Sequence, residues 1–341
     1  MEAVEQRIAS TRLSDGTTVA YALSGQGPFL VWAPGWLTHL ELSWAMPPER
    51  GFCEALSQGR TLVRYDRPGC GLSGPDGIGP SMARELSIIE AVTRAVGAER
   101  FDLLGTSLGA PVAASWAAAH PGSVERMVLY GGWAKGAEVT APALREHMLG
   151  LLVQHWGLGS DVLADIFAPD ADQPARAAFA RYQRESASAQ TARAMLEFCY
   201  ELDVSTALPL VTAPTLVLHR DRDRAAPVAQ GLALAAGIPD AQLELLPGRS
   251  HLPYIGDADS LARAIRRFLG LAMLRRRMSP ALTPRQRQVA ALIADGLTNR
   301  QIAERLYITE RSAESHVERI MDRLGFRSRS QIAAWYVASA R

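Results

Sequence analysis

Short apolar runs alternate with stretches of helical periodicity over roughly the first 270 residues. Phe29-Leu30-Val31-Trp32-Ala33, Thr61-Leu62-Val63-Arg64-Tyr65, Phe101 to Leu104, Arg126 to Tyr130, Thr215-Leu216-Val217-Leu218-His219 and Leu243-Glu244-Leu245-Leu246 are continuous and rich in aliphatic residues. Runs of this length read as buried strands. Ile8 to Arg12 and Thr17 to Leu23 flank the turn Ser14-Asp15-Gly16 and predict a hairpin. Ser81 to Val96 and Leu261 to Leu271 repeat their apolar residues at helical spacing, and an Ala-rich segment follows Ser107. Strands alternating with helices predict an α/β fold: a mostly parallel sheet with helices on both faces.

The pattern changes twice. From about Ala137 to Ser205 no strand is evident; Ala143 to Trp156, Asp161 to Phe167, Gln173 to Ser186 and Gln190 to Glu201 predict helices. A helical insert between two strands of a parallel sheet is placed to cover the edge where ligands bind. After Leu271 the sheet pattern ends. Residues 273–281, with Arg275-Arg276-Arg277, read as a linker between a domain spanning 1–272 and a small all-α domain spanning 282–341. That last stretch predicts four helices. Thr283-Pro284-Arg285-Gln286 and Thr298-Asn299-Arg300-Gln301 are capping boxes, Thr309 caps a third helix ending near Gly325, and Ser328 begins the fourth. The second and third, joined through Tyr307-Ile308-Thr309, form a helix-turn-helix. Val289, Ile293, Ile302, Ala303, Leu306, Ile308, Val317, Ile320 and Leu324 are its expected core.

Charge sharpens this division. The chain carries a net +1, yet the segment from Arg275 has thirteen arginines and six acids, leaving an acidic body of −6. A basic tail on an acidic body points to a polyanion as partner of the C-terminal domain. No apolar run approaches membrane-spanning length, the first five residues lack a signal-peptide pattern, and Cys53, Cys70 and Cys199 are too widely spaced for a disulfide or metal framework. A cytoplasmic protein without membrane contact, cofactor or metal is expected.

The chemistry centres on Gly105-Thr106-Ser107-Leu108-Gly109, which lies between an apolar strand and an Ala-rich helix. The serine sits at the apex of a sharp turn, and the glycines let strand and helix backbones approach. Such a serine needs a base and an acid later in the chain. His251 follows the last strand and can take the Ser107 proton. Asp221 and Asp223 both lie in the loop after the preceding strand, and either could orient His251.

These residues, together with Asp66-x-x-Gly69-x-Gly71-x-Ser73, resemble the α/β-hydrolase superfamily over about Thr17 to Leu271. The resemblance implies that Asp223 is the acid, since it begins an Asp-x-x-x-Pro turn nearly thirty residues before His251. It also implies an oxyanion hole made by the backbone N–H groups of Trp36 and Leu108. Pro34-Gly35-Trp36 stands where relatives usually carry His-Gly, which changes the wall beside that hole and leaves the donors in place.

The C-terminal domain closely resembles the LuxR-type helix-turn-helix in Leu282 to Arg285, Gly296 to Ala303, and His316-Val317 to Leu324-Gly325. The resemblance makes double-stranded DNA the partner and places Thr309 to Leu324 in the major groove as recognition helix. Glu314, Ser315 and Glu318 would face the bases, with glutamate where many relatives have lysine. Thr298, Asn299, Arg300, Thr309, Arg311 and Arg319 would supply the other DNA contacts, and the linker arginines could add to them. The fourth helix, with Ile332, Ala333, Trp335, Tyr336 and Ala340, is apolar enough to contribute to a two-fold interface, though Trp335 also suits the core.

A LuxR-type transcription regulator whose hydrolase domain binds a small apolar ester- or lactone-like effector, acting as a homodimer, is the expected function. A serine esterase or lactonase with a secondary DNA-binding module, and a hydrolase-like receptor without turnover, are the competing readings.

Overall fold

The computed structural model describes residues 4–272, 282–324, 326 and 328–339. The expected linker with Arg275, Arg276 and Arg277, and also Gly325 and Ala340, lie outside the described residues. The chain divides into two compact units that part after residue 273.

In the first unit the described residues build one eight-stranded sheet. Its strands are β1 (Gln6–Arg12), β2 (Thr18–Ser24), β3 (Phe29–Ala33), β4 (Thr61–Tyr65), β5 (Phe101–Thr106), β6 (Val124–Tyr130), β7 (Thr215–Arg220) and β8 (Gln242–Leu246). They lie in the order β1-β2-β4-β3-β5-β6-β7-β8. β1 and β2 form the antiparallel hairpin, β2 meets β4 antiparallel, and the remaining pairings are parallel. Alternation along each inner strand sends side chains to two different cores. Val31, Leu103, Leu129 and Val217 pack on one face, while Leu30, Trp32, Leu104, Val128 and Leu218 pack on the other. Both faces are covered by helices, so the central strands read as unbroken apolar runs.

The helices of this unit are α1 (Leu40–Ala45), α2 (Pro47–Ser57), α3 (Met82–Val96), α4 (Gly109–Ala119), α5 (Pro142–Gln154), α6 (Trp156–Phe167), α7 (Gln173–Ser186), α8 (Ala189–Glu201), α9 (Val228–Gly237) and α10 (Ala258–Phe268). α5 to α8 occupy the interval between β6 and β7, where the helical insert was expected. Three helices have no counterpart in the sequence reading. α1 is only six residues long. α2 opens on Pro47 and Pro48, which look like breakers but sit in the first turn, where their missing N–H costs nothing. α9 lacks a side-chain cap, being preceded by Pro227.

The second unit is α11 (Pro284–Ala294), α12 (Asn299–Leu306), α13 (Glu310–Leu324) and α14 (Arg329–Ser339). Both capping boxes form. Tyr307 ends α12 in the left-handed region, at φ 54°, with its ring 96% exposed, and Thr309 caps α13 through the Ser312 N–H at 3.2 Å. The core holds Val289, Ile293, Ile302, Ala303, Val317 and Ile320 as expected, with Leu306, Ile308 and Leu324 half-buried at its margin. Leu282, Ala290, Ala313 and Ile332 complete it. Ala333, Trp335 and Tyr336 also pack against this core, so much of the apolar load of α14 is used inside the unit.

Candidate active site and nucleic-acid interface

Ser107 stands between β5 and α4 with φ 55°, a strained conformation for a residue with a Cβ. Its N–H donates to Tyr130 O at 2.9 Å, which locks the apex onto β6. The flanking glycines are steric necessities. A Cβ on Gly109 would lie 1.9 Å from Ala33 O, and one on Gly105 would lie 2.4 Å from Gly109 O.

The structure brings three distant residues into one line. Ser107 Oγ is 2.8 Å from His251 Nε2, and His251 Nδ1 is 2.8 Å from Asp223 Oδ2. Asp223 is buried, and its other oxygen accepts from the Ala225 and Ala226 N–H groups at 2.8 and 3.2 Å. Burial opposes the Asp223 charge, but His251 alongside and these donors hold the carboxyl below its usual pKa. An ionised Asp223 only accepts, so Nδ1 carries the proton and Nε2 is free to accept from the Ser107 hydroxyl. Asp221 lies elsewhere: exposed, it accepts from the Gly248 N–H at 3.0 Å and braces the loop after β8.

Sequence reading missed the residues that hold this line in place. Arg220 is fully buried at the end of β7 and donates to Ser250 O at 2.9 Å, tying the strand that leads to Asp223 to the loop that carries His251. His219 Nε2 lies 2.9 Å from Ala226 O, and burial keeps its pKa low, so the ring braces the Asp223 loop as a neutral group.

Trp36 and Leu108 flank the serine. Among the described residues neither backbone N–H is given to a protein acceptor. The strand-end turn that carries Trp36 is gripped from below by Arg67. This buried guanidinium donates to Pro34 O at 3.0 Å and to Gly35 O, and pairs with Glu85 at 2.7 Å. Arg67 belongs to the Asp66-to-Ser73 loop, whose pattern was legible although its partners were not. The three cysteines are buried, and burial pushes each thiol up to about 12, which leaves them inert as nucleophiles.

Two chambers meet at Ser107 and His251. The larger, about 220 Å³, runs under the insert between Trp133, Leu144, Met148, Leu163, Leu196 and Phe167. The smaller, about 90 Å³, runs the other way toward Glu49, Arg64, Asp66 and Tyr254. Among the insert's apolar residues, Phe167 lines both chambers and Tyr182 the smaller one, whereas Leu149, Leu152, Trp156 and Phe198 line neither. The insert touches the histidine loop directly. His251 and Leu252 donate their N–H groups to Phe167 O at 2.7 and 3.3 Å, and Asp170 pairs with Arg249 at 2.6 Å. Among the described residues no cluster of His, Cys, Asp or Glu could hold a metal ion, and no helix is long and apolar enough to cross a membrane.

In the second unit, α13 turns Ala313, Val317 and Ile320 inward and leaves Arg311, Glu314, Glu318 and Arg319 exposed, with Ser315 half-buried. Thr298, Arg300 and Thr309 are exposed as well. Thr298 and Thr309 spend their hydroxyls as caps, and Arg300 pairs with Glu304 at 3.3 Å on the surface. Asn299 is half-buried, and its side chain accepts from Arg329 Nη1 at 2.5 Å, joining α12 to α14. Arg329, which also donates to Leu297 O, had no distinguishing signal in the sequence.

With this geometry in hand, the comparisons with known proteins are specific. The family model for serine aminopeptidase, S33, matches residues 50–259, and that for bacterial regulatory proteins of the luxR family matches residues 280–336. The chain belongs to the α/β-hydrolase family and carries a LuxR-type helix-turn-helix domain at residues 280–336. It is 28% identical over 260 residues to a pyrrolizixenacetamide deacetylase of Xenorhabdus hominickii, covering 74% of this chain and 94% of that protein. It is 28% identical over 280 residues to a 2-hydroxy-6-oxononadienedioate/2-hydroxy-6-oxononatrienedioate hydrolase of Cupriavidus pinatubonensis, covering 78% and 91%. An esterase from Rhodococcus sp. ECU1013 shares the fold, with TM-score 0.68 and 24% identity over 77% of this chain and 98% of its own.

Proposed function

We propose that this protein is a transcription regulator whose hydrolase unit binds, and can cleave, a small apolar ester- or lactone-like effector. The observation that carries the reading is the line Ser107–His251–Asp223 at the mouth of an apolar chamber, in a chain that also carries a LuxR-type domain. Ser107 attacks the carbonyl carbon while His251 Nε2 takes its proton. Asp223 steadies the resulting imidazolium, and the Trp36 and Leu108 N–H groups receive the oxyanion. His251 then returns the proton to the leaving oxygen, and water repeats the sequence to free the acid.

Sensing requires that the effector bind two conformations with different affinity. The insert is the natural moving part, because its Phe167–Asp170 turn is bonded both to the chamber wall and to the histidine loop. If the intact effector is the signal, Ser107→Ala should leave induction of a reporter unchanged or raise it by sparing the ligand. A silent Ser107→Ala protein that still binds ligand and DNA would make an acyl-enzyme or product the signal instead.

For DNA, α13 is proposed as the recognition helix of a homodimer on a pseudo-palindromic site, with Glu314, Ser315 and Glu318 toward the bases. Glutamate accepts from cytosine N4 and repels phosphate, so affinity rests on Arg311, Arg319 and Arg300. Arg311→Ala or Arg319→Ala should weaken binding to all sequences alike and lower the salt slope by about 1, whereas Glu318→Lys should change sequence preference. Unchanged affinity and slope in both arginine variants, measured by fluorescence anisotropy across salt, would overturn this docking. The esterase reading differs in one respect: it expects turnover without any effect of substrate on transcription.

A further inference from the structure

The smaller chamber beside Ser107 has no part in the chemistry above, yet it is built with charged groups. Glu49, in the first turn of α2, is 8% exposed and lines it together with Arg64, Asp66 and Tyr254. Tyr254 lies beside the Glu49 carboxyl on the same wall, and the Arg64 guanidinium stands 3.9 Å from it, beyond hydrogen-bond distance. The second carboxyl oxygen of Glu49 is buried with no partner among the described residues. Asp66 is wholly buried and spends one oxygen on the Leu40 and Leu72 N–H groups at 3.1 and 2.9 Å, while its other oxygen is also without a bond. Arg64 is committed elsewhere: it donates to Ser43 Oγ at 3.0 Å and to Gln6, and its guanidinium lies over the Trp44 ring.

A buried polar atom without a partner is costly, and four on the residues of one cavity wall, the Glu49 and Asp66 oxygens and the Tyr65 and Tyr130 hydroxyls, mark a place that something else completes. The chamber therefore offers both carboxyl acceptors and hydroxyl donors, and its arginine is already satisfied. It opens onto Ser107 and His251, so a molecule seated in the apolar chamber can extend a short arm into it.

Resting on the ligand-binding reading given above, we propose that this chamber is a polar subsite for a hydroxyl group carried close to the scissile bond, with Glu49 as the residue that selects it. Burial raises the Glu49 carboxyl to about 7, so both of its protonation states are present near neutrality. A hydroxyl both donates and accepts and suits either state, whereas an ammonium or a carboxylate suits only one. The volume, about 90 Å³, admits a hydroxyl on a one- or two-carbon stem and excludes a sugar or a ring.

The test reads binding, so that it does not depend on turnover. Full-length Ser107→Ala protein is titrated by ligand-detected NMR with two isosteric pairs. These are 2-hydroxyethyl against propyl hexanoate, and ethyl 3-hydroxyhexanoate against ethyl 3-methylhexanoate. The hydroxylated member of one pair should bind about tenfold or more tightly, because a site built for a hydroxyl leaves buried acceptors unpaired against a methyl group. Adding Glu49→Leu should bring that ratio close to one. Glu49→Gln, which keeps an acceptor in the same place, should retain a preference of several-fold. Equal binding within both pairs, or a preference that survives Glu49→Leu, overturns the proposal. So does tighter binding of carboxymethyl hexanoate than of propyl hexanoate, which would make Arg64 the selecting group. Wild-type protein is assayed in parallel for hydrolysis of the same esters. Failure there alone removes the catalytic reading and leaves the subsite standing.

Discussion

His251→Ala is expected to lower kcat/KM for a short-chain 4-nitrophenyl ester by about a thousandfold or more. The imidazole is the only ionisable group within hydrogen-bond distance of Ser107 Oγ among the described residues, at 2.8 Å, and without it the hydroxyl keeps its proton at neutral pH. The loss should fall on kcat, because His251 acts on protons in flight and supplies little ground-state binding. Asp223→Asn should cost a comparable factor by a different route. The amide can donate to Nδ1, which turns the ring to the tautomer that carries its proton on Nε2 and cannot accept from serine. Asp221→Asn, on the exposed side of the same loop, should change the rate by less than about threefold, since among the described residues Asp221 bonds only to the Gly248 N–H and the neighbouring Arg222. Steady-state kinetics on the three variants separates these roles. Equal rates for wild type and His251→Ala would show that Ser107 is not activated by this histidine.

Why some of this was legible in the sequence and some was not follows from how local each signal is. The inner strands announced themselves because burial on both faces makes each an unbroken apolar run. The four helices of the insert were visible for the opposite reason: polar and apolar residues keep helical spacing with no strand between them. Ser107 and His251 could be found because the turn that each requires leaves a local mark, glycines around the serine and a loop after the last strand. Choosing Asp223 over Asp221 needed resemblance, since two residues along one loop point to opposite sides and nothing in composition says which. Arg220, Arg67 and Glu49 left no mark at all. Each is a charged residue at an ordinary position, and its importance comes from partners 18 to 33 residues away or from a cavity that only the fold creates. The bond between Asn299 and Arg329 was hidden for a related reason: it joins two helices, and neither residue marks it locally.

The second large effect concerns one of those unmarked residues. Arg67→Met is expected to destabilise the hydrolase unit by about 3–5 kcal/mol, because it strands Glu85 as an unpaired charge in the interior. The two side chains are 1% and 3% exposed and 2.7 Å apart. Such a pair brings little net stability over apolar replacements, and the penalty arises when one partner is removed alone. Arg67→Met/Glu85→Gln should therefore recover most of the loss in urea denaturation. Catalysis should respond differently. Arg67 also donates to Pro34 O and Gly35 O, the carbonyls of the turn that carries Trp36, whose N–H is the proposed oxyanion donor. The double variant regains the fold without regaining those two bonds, so its kcat should stay down by tenfold or more even where its stability approaches that of the wild type. If the double variant restores stability and kcat together, Arg67 serves only to neutralise Glu85, and the Trp36 N–H is held in place by the packing of its ring against Trp156 and Phe167.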